Sequence, residues 1–309
     1  MAKETEIAWT DSTFNPWWGC TKISPACDHC YAESLDNRTG GSHWGAGVPR
    51  RRTSIRNWND PARWNKNAAA FFEKHGRRQR VFSASMADVF DNEVPQEWRS
   101  DLFELIKITP NLDWLLLTKR IGNAENMLPV PFDFDKHYPN VWIGATICNQ
   151  IEADRDIPKL LEVSAVKRFL SIEPLLGQID LSGNLPNERV LRWHRSMLPM
   201  LDWVIVGGES GPHARPMHPS WVRQLRDQCK VANVPFLFKQ WGEWAPHQCV
   251  PGGDEGGDVR SGRVRYLVGD GREPDGHFRK GDAAVAHVGK KAAGRLLDGL
   301  LHDEFLTHN

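Results

Sequence analysis

Short apolar runs alternate with amphipathic stretches along most of this chain. We predict strands at 80–85, 112–118, 140–146, 167–172, 202–206 and 235–239, with a further strand within residues 6–14. Helical spacing of apolar residues predicts helices at 95–108, 150–162 and 218–232. Continuously apolar strands separated by helices are typical of a parallel sheet with helices on its faces. Seven such strands favour an α/β fold of the parallel (β/α) barrel type, partial or nearly complete, over a flat doubly wound sheet.

Polar residues gather directly after the predicted strands. In a β/α barrel the carboxyl ends of all strands open on one face, where active sites lie. A helix cap or a turn explains any one of these groups equally well, but groups after six strands favour one shared site. The candidate residues are Ser83, Ser85, Asp88, Lys119, Arg120, Thr146, Asn149, Glu173, Glu209 and Lys239.

The pattern changes near residue 246, which predicts two parts. Residues 1–245 form the barrel, and residues 246–309 form a small C-terminal appendage. The appendage begins with a proline- and glycine-rich stretch at 251–257, typical of a flexible loop. A strand near 263–268 and a short basic helix within 283–301, which ends at Gly299, follow it.

Charge and hydropathy exclude some classes of partner. Lys+Arg and Asp+Glu both number 39, so the formal net charge is zero and favours no broad attraction to nucleic acid. No run approaches membrane-spanning length and the start lacks the apolar stretch of a signal peptide, so we expect a cytoplasmic protein with no membrane partner. Residues 40–80 hold a local arginine excess with interleaved tryptophans, which indicates either phosphate contacts or a solvated face.

Three cysteines lie within eleven residues, at Cys20, Cys27 and Cys30. In a reducing compartment clustered cysteines favour metal binding over disulfides. Three thiolates leave one iron of a [4Fe–4S] cluster open to bind a small molecule. A structural zinc site usually takes a fourth ligand, and His29 and His43 are close enough in sequence to keep that alternative open. We interpret the other cysteines as buried or idle thiols; they are Cys148, Cys229 and Cys249.

With this loop after its first strand, the chain resembles radical S-adenosylmethionine (SAM) enzymes. In that superfamily three cysteines bind a [4Fe–4S] cluster, and the methionine amine and carboxylate of SAM chelate the fourth iron. Reduction by an electron donor then yields a 5′-deoxyadenosyl radical. The usual spacing is Cys-x3-Cys-x2-Cys with an aromatic residue before the last cysteine, whereas the first gap here has six residues and His29 holds the aromatic position.

The chain also resembles a family of phage and bacterial proteins with a three-Cys motif, whose reaction is not known. The resemblance covers nearly the whole chain and implies a radical-SAM-like barrel. The similar stretches are 9–20, the Cys loop through Glu33, 171–176, 207–211, 238–242 and 289–299.

The resemblance implies roles for the candidate residues. Cys20, Cys27 and Cys30 would bind the cluster. The 83–88 segment, with Ser83, Ser85 and Asp88, occupies the place that holds the SAM amine in the superfamily. Lys119 or Arg120 would meet the SAM carboxylate, because a carboxylate in a site of low dielectric needs a partner. Location alone makes Thr146 and Asn149 further cofactor-binding candidates, and Glu173, Glu209 and Lys239 the catalytic ones.

These observations predict a radical SAM-type iron–sulfur enzyme with SAM and a [4Fe–4S] cluster as cofactors. A nucleotide, a nucleic-acid base and a peptide all stay open as substrate, and the phage context of the family favours nucleic acid. The first alternative is a zinc-stabilised nucleic-acid-binding or nuclease-like protein. The second is a cluster protein that acts as a partner subunit without its own catalysis.

Overall fold

The computed structural model describes residues 5, 7–182, 197–246, 264–268 and 279–306. The strands are β1 (Ser12–Thr13), β2 (Trp17–Trp18), β3 (Arg51–Arg52), β4 (Gln79–Ser83), β5 (Leu112–Thr118), β6 (Val141–Thr146), β7 (Lys167–Ile172), β8 (Trp203–Gly207), β9 (Phe236–Gln240), β10 (Trp244–Pro246), β11 (Val264–Leu267) and β12 (Ala283–His287). The α-helices are α1 (Tyr31–Arg38), α2 (Ile55–Trp58), α3 (Asp60–Lys66), α4 (Ala68–His75), α5 (Gln96–Lys107), α6 (Ala124–Met127), α7 (Phe134–His137), α8 (Gln150–Glu162), α9 (Pro219–Ala232) and α10 (Lys290–Ala293).

Seven strands form one parallel sheet in the order β1-β4-β5-β6-β7-β8-β9, which curves into a half-barrel. The predicted α/β class and partial parallel barrel are therefore confirmed. The predicted strands at 112–118 and 167–172 and the helix at 150–162 have the observed bounds, and most others differ by one or two residues. The first strand is shorter than predicted, because Thr10 N donates to Ile7 O at 3.2 Å and makes a turn there. Only Ser12–Thr13 then pairs with β4.

Side chains alternate between the two faces of the sheet, as a pleated strand requires. One face packs against the helices with residues such as Val81, Trp114, Ile143 and Val206. The other face turns inward and is filled at its amino end by a second cluster, whose large aromatic members include Trp142, Phe169 and Trp203. This aromatic layer closes the half-barrel beneath the strands' carboxyl ends.

Inside the half-barrel the side chains become polar towards the carboxyl ends of the strands. Trp142 of β6 is followed on the same face by Gly144 and then Thr146. A methyl group at Gly144 would stand 2.4 Å from the Phe169 ring, so this ring fills the place of a side chain. Ser171 and Lys239 occupy the upper level of β7 and β9. The open end of the half-barrel is thus the polar end.

The C-terminal residues 302–306 protect the last strand. Phe238 N donates to His302 O at 2.9 Å, and Trp203 Nε1 donates to Glu304 O at 2.8 Å. The Arg80 guanidinium lies beneath the aromatic layer, 4.7 Å from the Phe305 ring centre. These contacts satisfy edge groups of β9 that would otherwise be open to another chain.

The C-terminal part holds a separate antiparallel sheet in the order β10-β12-β11. The predicted division at residue 245 falls within β10, and the predicted strand near 263–268 is β11. The short basic helix predicted within 283–301 was wrong in extent: β12 occupies 283–287, and α10 ends after four residues at Gly294, whose φ is 68°. The glycine-rich stretch 251–257 and Cys249 lie outside the described residues. Within the described part of the chain, no helix combines the length and apolar character needed to cross a membrane.

Candidate active site at the open end of the half-barrel

A cavity of about 520 Å³ opens where the parallel strands end. Its wall combines the Cys loop with the segments that follow β4 to β9. The aromatic and aliphatic side chains of Trp9, Phe82 and Leu117 also line it. The predicted site residues that line it are Cys20, Cys27, Cys30, Ser85, Asp88, Lys119, Arg120, Thr146, Glu173, Glu209 and Lys239. The expectation that the polar groups after the strands share one cavity is therefore met by most of them.

Ser83 and Asn149 do not line this cavity. Ser83 is fully buried in β4, and its hydroxyl has no hydrogen-bond partner among the described residues. The Asn149 side chain caps α8 by accepting from Glu152 N at 2.9 Å. The sequence analysis assigned Ser83 to cofactor binding by resemblance to the superfamily and Asn149 by location alone, whereas in the structure the Asn149 side chain is a helix cap.

The three cysteines of the loop are free thiols of intermediate exposure, and all three face the same cavity. Three thiols on one wall are the donor set that an iron–sulfur cluster takes. Among the described residues, no three His, Cys, Asp or Glu side chains stand close enough to form a ready-made metal site. The donor set fits an iron–sulfur cluster in the kind and number of its ligands, and the three thiols would have to move together to bind it.

The first cysteine is anchored to the strand ends by Arg120. The Arg120 guanidinium donates from Nη1 to Cys20 Sγ at 3.3 Å and from Nη2 to Thr21 O at 2.6 Å. The same guanidinium pairs with Asp88 at 3.4 Å. Asp88 is buried and also accepts from Thr118 Oγ1 at 2.7 Å and Lys119 N at 3.0 Å. Asp88 and Arg120 together hold the start of the loop against β4 and β5.

The environment of Cys20 favours the neutral thiol when no cation is bound. Burial is the main cause that raises the pKa of Cys20 to about 12, and the Asp88 and Asp91 carboxylates act in the same direction. Arg120 acts in the opposite direction but is outweighed. A metal ion would have to displace the thiol proton, so metal binding at this residue releases a proton.

The second half of the loop is anchored by Arg215, which sequence reasoning missed. Its guanidinium donates to both oxygens of the buried Glu209, at 2.9 and 2.7 Å. It also donates to Pro25 O at 2.8 Å and to Asp28 Oδ2 at 2.9 Å. One side chain thus joins the loop before Cys27, the residue after it, and the segment that follows β8.

Glu209 is fully engaged in this arrangement. In addition to Arg215, the ring nitrogen Nδ1 of His29 lies 3.1 Å from its Oε2. Burial raises the pKa of Glu209, but the hydrogen bonds from Arg215 and His29 outweigh that effect and hold this pKa below its ordinary value of 4.5. A catalytic role for Glu209 therefore gains no support from its contacts, which favour positioning of the loop.

The segment that carries Glu209 requires glycine. A methyl group at Gly208 would stand 1.9 Å from Trp241 O, and one at Gly242 would stand 2.0 Å from Glu209 O. Gly242 has φ of 86°, which also favours glycine. The backbones after β8 and β9 therefore touch directly, and this contact explains the Gly-Gly-Glu and Trp-Gly sequences.

Glu173 and Lys239 form an ion pair that faces the cavity. Lys239 Nζ lies 3.2 Å from Glu173 Oε2, and the two side chains are 23% and 14% exposed. Glu173 Oε1 is buried without a hydrogen-bond partner among the described residues. This oxygen lies where a side chain of Gly207 would stand, 2.3 Å from the position of its missing methyl group. The two candidate residues are thus paired with each other, and Glu173 Oε1 keeps its capacity to accept a hydrogen bond.

The arginines of the region at 40–80 differ in exposure. Arg50 and Arg80 are buried, whereas the exposed ones are Arg51, Arg52, Arg56 and Arg63. A phosphate contact is wrong for Arg50, because its side chain is fully buried and bonds Asp91 and Glu93, each at 2.8 Å. Arg51 stacks over Trp18, and Arg52 pairs with Asp101 at 2.7 Å. The interpretation of this region as a nucleic-acid contact therefore loses the buried Arg50 and Arg80 and stays a prediction for the exposed arginines.

The protein is thus an α/β half-barrel whose open end carries three thiols. The chain belongs to the family described as "Protein of unknown function (DUF5131)", which matches residues 4–306. No curated protein matches the chain.

Solved structures of spore photoproduct lyase are similar in fold. A double mutant with bound AdoMet and dinucleoside spore photoproduct has a TM-score of 0.40 and 13% identity, covering 89% of this chain and 68% of that chain. A single mutant has a TM-score of 0.40 and 12% identity, covering 92% and 70% of the two chains. Likeness at this level supports no statement about the activity or substrate of the present chain.

Replacing Arg215 tests the anchoring of the loop. Arg215→Gln leaves the buried Glu209 carboxylate without its main partner, so we expect the free energy of unfolding near neutral pH to fall by about 2 kcal/mol. Urea denaturation measures the change. The control is Arg223→Gln, which removes an exposed pair with Asp298 and should cost about 0.5 kcal/mol.

The effect of Arg215→Gln should also depend on pH. Because the folded pKa of Glu209 is lowered, its contribution is fully present above its unfolded value of 4.5 and is lost as the pH falls through the folded value. The stability difference between wild type and variant should therefore shrink below about pH 4.5. If the free energies of unfolding of wild type and Arg215→Gln differ little at neutral pH, or differ more as the pH falls, the Arg215–Glu209 pair does not hold the loop.

Proposed function

We propose that this protein is a radical SAM-type iron–sulfur enzyme. The observation that carries the proposal is that Cys20, Cys27 and Cys30 line one cavity at the carboxyl ends of a parallel half-barrel. These three residues would hold a [4Fe–4S] cluster. With SAM and an electron donor, such a cluster supplies reductive cleavage of SAM to a 5′-deoxyadenosyl radical.

The protein's own residues position the cluster ligands and shield the site. Arg120 and Arg215 fix the two halves of the Cys loop, each supported by a buried carboxylate. The aromatic layer beneath the cavity excludes water from the inside of the half-barrel. Shielding matters because a radical must be kept from solvent and side reactions. A cytoplasmic location, where thiols stay reduced, suits this assignment.

Lys119 is the residue that we assign to the SAM carboxylate. It lines the cavity, and its ammonium has no hydrogen bond or ion pair to any described residue. Arg120, the other candidate, already bonds Cys20, Thr21 O and Asp88. Ser85 and Thr146 line the same cavity and supply hydroxyl groups for the amine or ribose of SAM.

We assign the Glu173–Lys239 pair to the substrate side of the cavity. Glu173 Oε1 retains the capacity to accept a hydrogen bond, and Lys239 has Glu173 as its partner. A substrate with a hydrogen-bond donor would donate to Glu173 Oε1. It would thereby replace part of the contact between Glu173 and Lys239. A nucleotide or a nucleic-acid base has such amine and hydroxyl donors and is the substrate class that we propose.

The zinc alternative gains no specific support. The Nδ1 atom of His43 lies 2.9 Å from Asp36 Oδ1, and that of His29 bonds Glu209. His29 lines the same cavity as the three thiols, but among the described residues no ready-made group of three or more metal ligands includes either ring.

Anaerobic reconstitution tests the proposed function. The protein should bind about four irons per chain, and addition of SAM and dithionite should release 5′-deoxyadenosine, which chromatography measures. Cys20→Ala, Cys27→Ala and Cys30→Ala should each lose most of the iron and all detectable cleavage.

The matched control is Cys229→Ala, because Cys229 is a buried thiol in α9 that does not line the cavity. This variant should keep its iron and its cleavage activity. One tightly bound zinc in place of iron would overturn the proposal in favour of the zinc-stabilised protein. A full cluster with no cleavage of SAM would favour the partner subunit.

Replacing Lys119 tests the assignment of the SAM carboxylate. Lys119→Ala should weaken binding of SAM to the reconstituted protein about tenfold, because a charge-assisted hydrogen bond is lost. Equilibrium dialysis with labelled SAM measures this change. The control is Lys159→Ala, since Lys159 lies beside Lys119 in a neighbouring cavity but not in the thiol-lined one. Equal affinities in wild type and Lys119→Ala would refute the assignment.

A further inference from the structure

The C-terminal sheet brings one lysine to the thiol-lined cavity. Lys290 lies at the start of α10, just after β12, and its side chain lines the cavity mouth. The seven-stranded sheet alone does not supply this residue. The appendage therefore contributes directly to the wall of the candidate active site.

Glu243 fixes the position of this lysine. Its Oε2 accepts from Lys290 N at 3.2 Å, and its Oε1 accepts from Gly211 N at 3.0 Å. Its own backbone N donates to Glu209 O at 3.0 Å, and its backbone O accepts from Gly289 N at 3.1 Å. The turn before α10 is thus tied to the loop that carries Glu209, which holds Lys290 at the cavity rather than free on the surface.

The ammonium of Lys290 takes no part in the contacts among the described residues. It makes no hydrogen bond or ion pair to a described residue, in contrast to most charged groups that line the cavity. Those groups form pairs, which are Lys22 with Glu33, Arg120 with Asp88, Arg215 with Glu209, and Lys239 with Glu173.

Two positive charges at this cavity, those of Lys119 and Lys290, therefore have no counter-charge among the described residues. Lys119 follows β5, whereas Lys290 is held by the segment after β9, four strands further along the sheet. Two separated ammonium groups match a site that receives anionic groups at two places. Since SAM has one carboxylate, the second positive charge is available to the substrate.

Aromatic side chains accompany these charges at the mouth. Tyr31 and Trp44 both line the cavity, and the Tyr31 hydroxyl is fixed by donation to Ser85 O at 2.9 Å. Exposed aromatic rings next to cationic groups are the combination that binds a base by stacking and its phosphate by charge. The mouth of the cavity thus has both elements of nucleotide recognition.

We propose that Lys290, presented by the C-terminal sheet, binds a phosphate group of a nucleotide substrate. This inference rests on the proposed function, because it treats Lys119 as the partner of SAM. The phosphate belongs either to a free nucleotide or to a nucleic-acid strand. In both cases the appendage acts as the part of the protein that recognises substrate.

Binding experiments on the full-length protein test this proposal without turnover. The probes are a fluorescein-labelled single-stranded DNA of about 12 nucleotides for anisotropy, and unlabelled nucleosides and nucleoside 5′-monophosphates as competitors. Lys290→Ala should weaken DNA binding about five- to tenfold. The slope of log K against log salt should become shallower by about 0.7, the value for one phosphate contact to a single strand.

Lys290→Arg should restore most of the affinity, since it returns a positive charge. The control is Lys291→Ala, which removes the neighbouring lysine that does not line the cavity and should leave the slope unchanged. Competition by a monophosphate but not by its nucleoside would identify the phosphate as the recognised group. If monophosphates bind and the DNA strand does not, the phosphate that Lys290 recognises belongs to a free nucleotide. Lys290→Ala should then weaken the binding of monophosphates.

Failure of this proposal differs from failure of the proposed function. If wild type cleaves SAM but binds none of the probes, or if Lys290→Ala binds like wild type, the phosphate assignment is overturned and the enzyme assignment stands. Equal losses of DNA affinity in Lys290→Ala and Lys291→Ala would likewise overturn the phosphate assignment, because they would indicate an effect of general surface charge. If probe binding depends on Lys290 in a protein that never holds a cluster, the enzyme assignment falls instead.

Discussion

The candidate site depends on two arginine–carboxylate pairs that hold the Cys loop against the half-barrel. Arg120 with Asp88 fixes the loop at Cys20, and Arg215 with Glu209 fixes it around Cys27. Both carboxylates are buried, so each arginine compensates a charge that would be costly to leave alone. A loop with little regular structure is thereby held in one place. These pairs orient the Cys loop so that its three thiols face one cavity; nearness in sequence alone would not do so.

The half-barrel supplies what the loop cannot. Its inner face changes from aromatic residues at the amino end to hydroxyl and charged groups at the carboxyl end, so one cavity has an apolar floor and a polar mouth. The C-terminal tail closes the edge of β9, and the C-terminal sheet brings Lys290 to the opening. Chemistry at the thiols and recognition at the mouth are thus assigned to different parts of the chain.

Strands and their order along the chain were accessible from sequence because each strand is continuously apolar and bounded by helix or turn residues. The gathering of Asp88, Lys119, Glu173 and Lys239 followed from topology, since parallel strands end at one edge. What each charge does was not accessible. Glu209 meets Arg215 six residues away and His29 180 residues away, and no local pattern marks such contacts.

The same limit explains the arginine region and the C-terminal lysine. From the sequence, Arg50 is interpreted as a surface charge. Its carboxylate partners, Asp91 and Glu93, lie some forty residues further along the chain. Lys290 reads as one of several basic residues in a tail, and only the contacts of Glu243 show that it reaches the cavity. Isolated charges are interpretable from sequence only when their partners are near in the chain.

The measurement that most directly tests the central claim is electron paramagnetic resonance of the reduced, reconstituted protein with and without SAM. The account predicts a cluster signal whose g-values shift when SAM is added, because three thiolates leave one iron open to a ligand. A cluster signal that stays unchanged at saturating SAM, as for a cluster whose irons all have protein ligands, would contradict it.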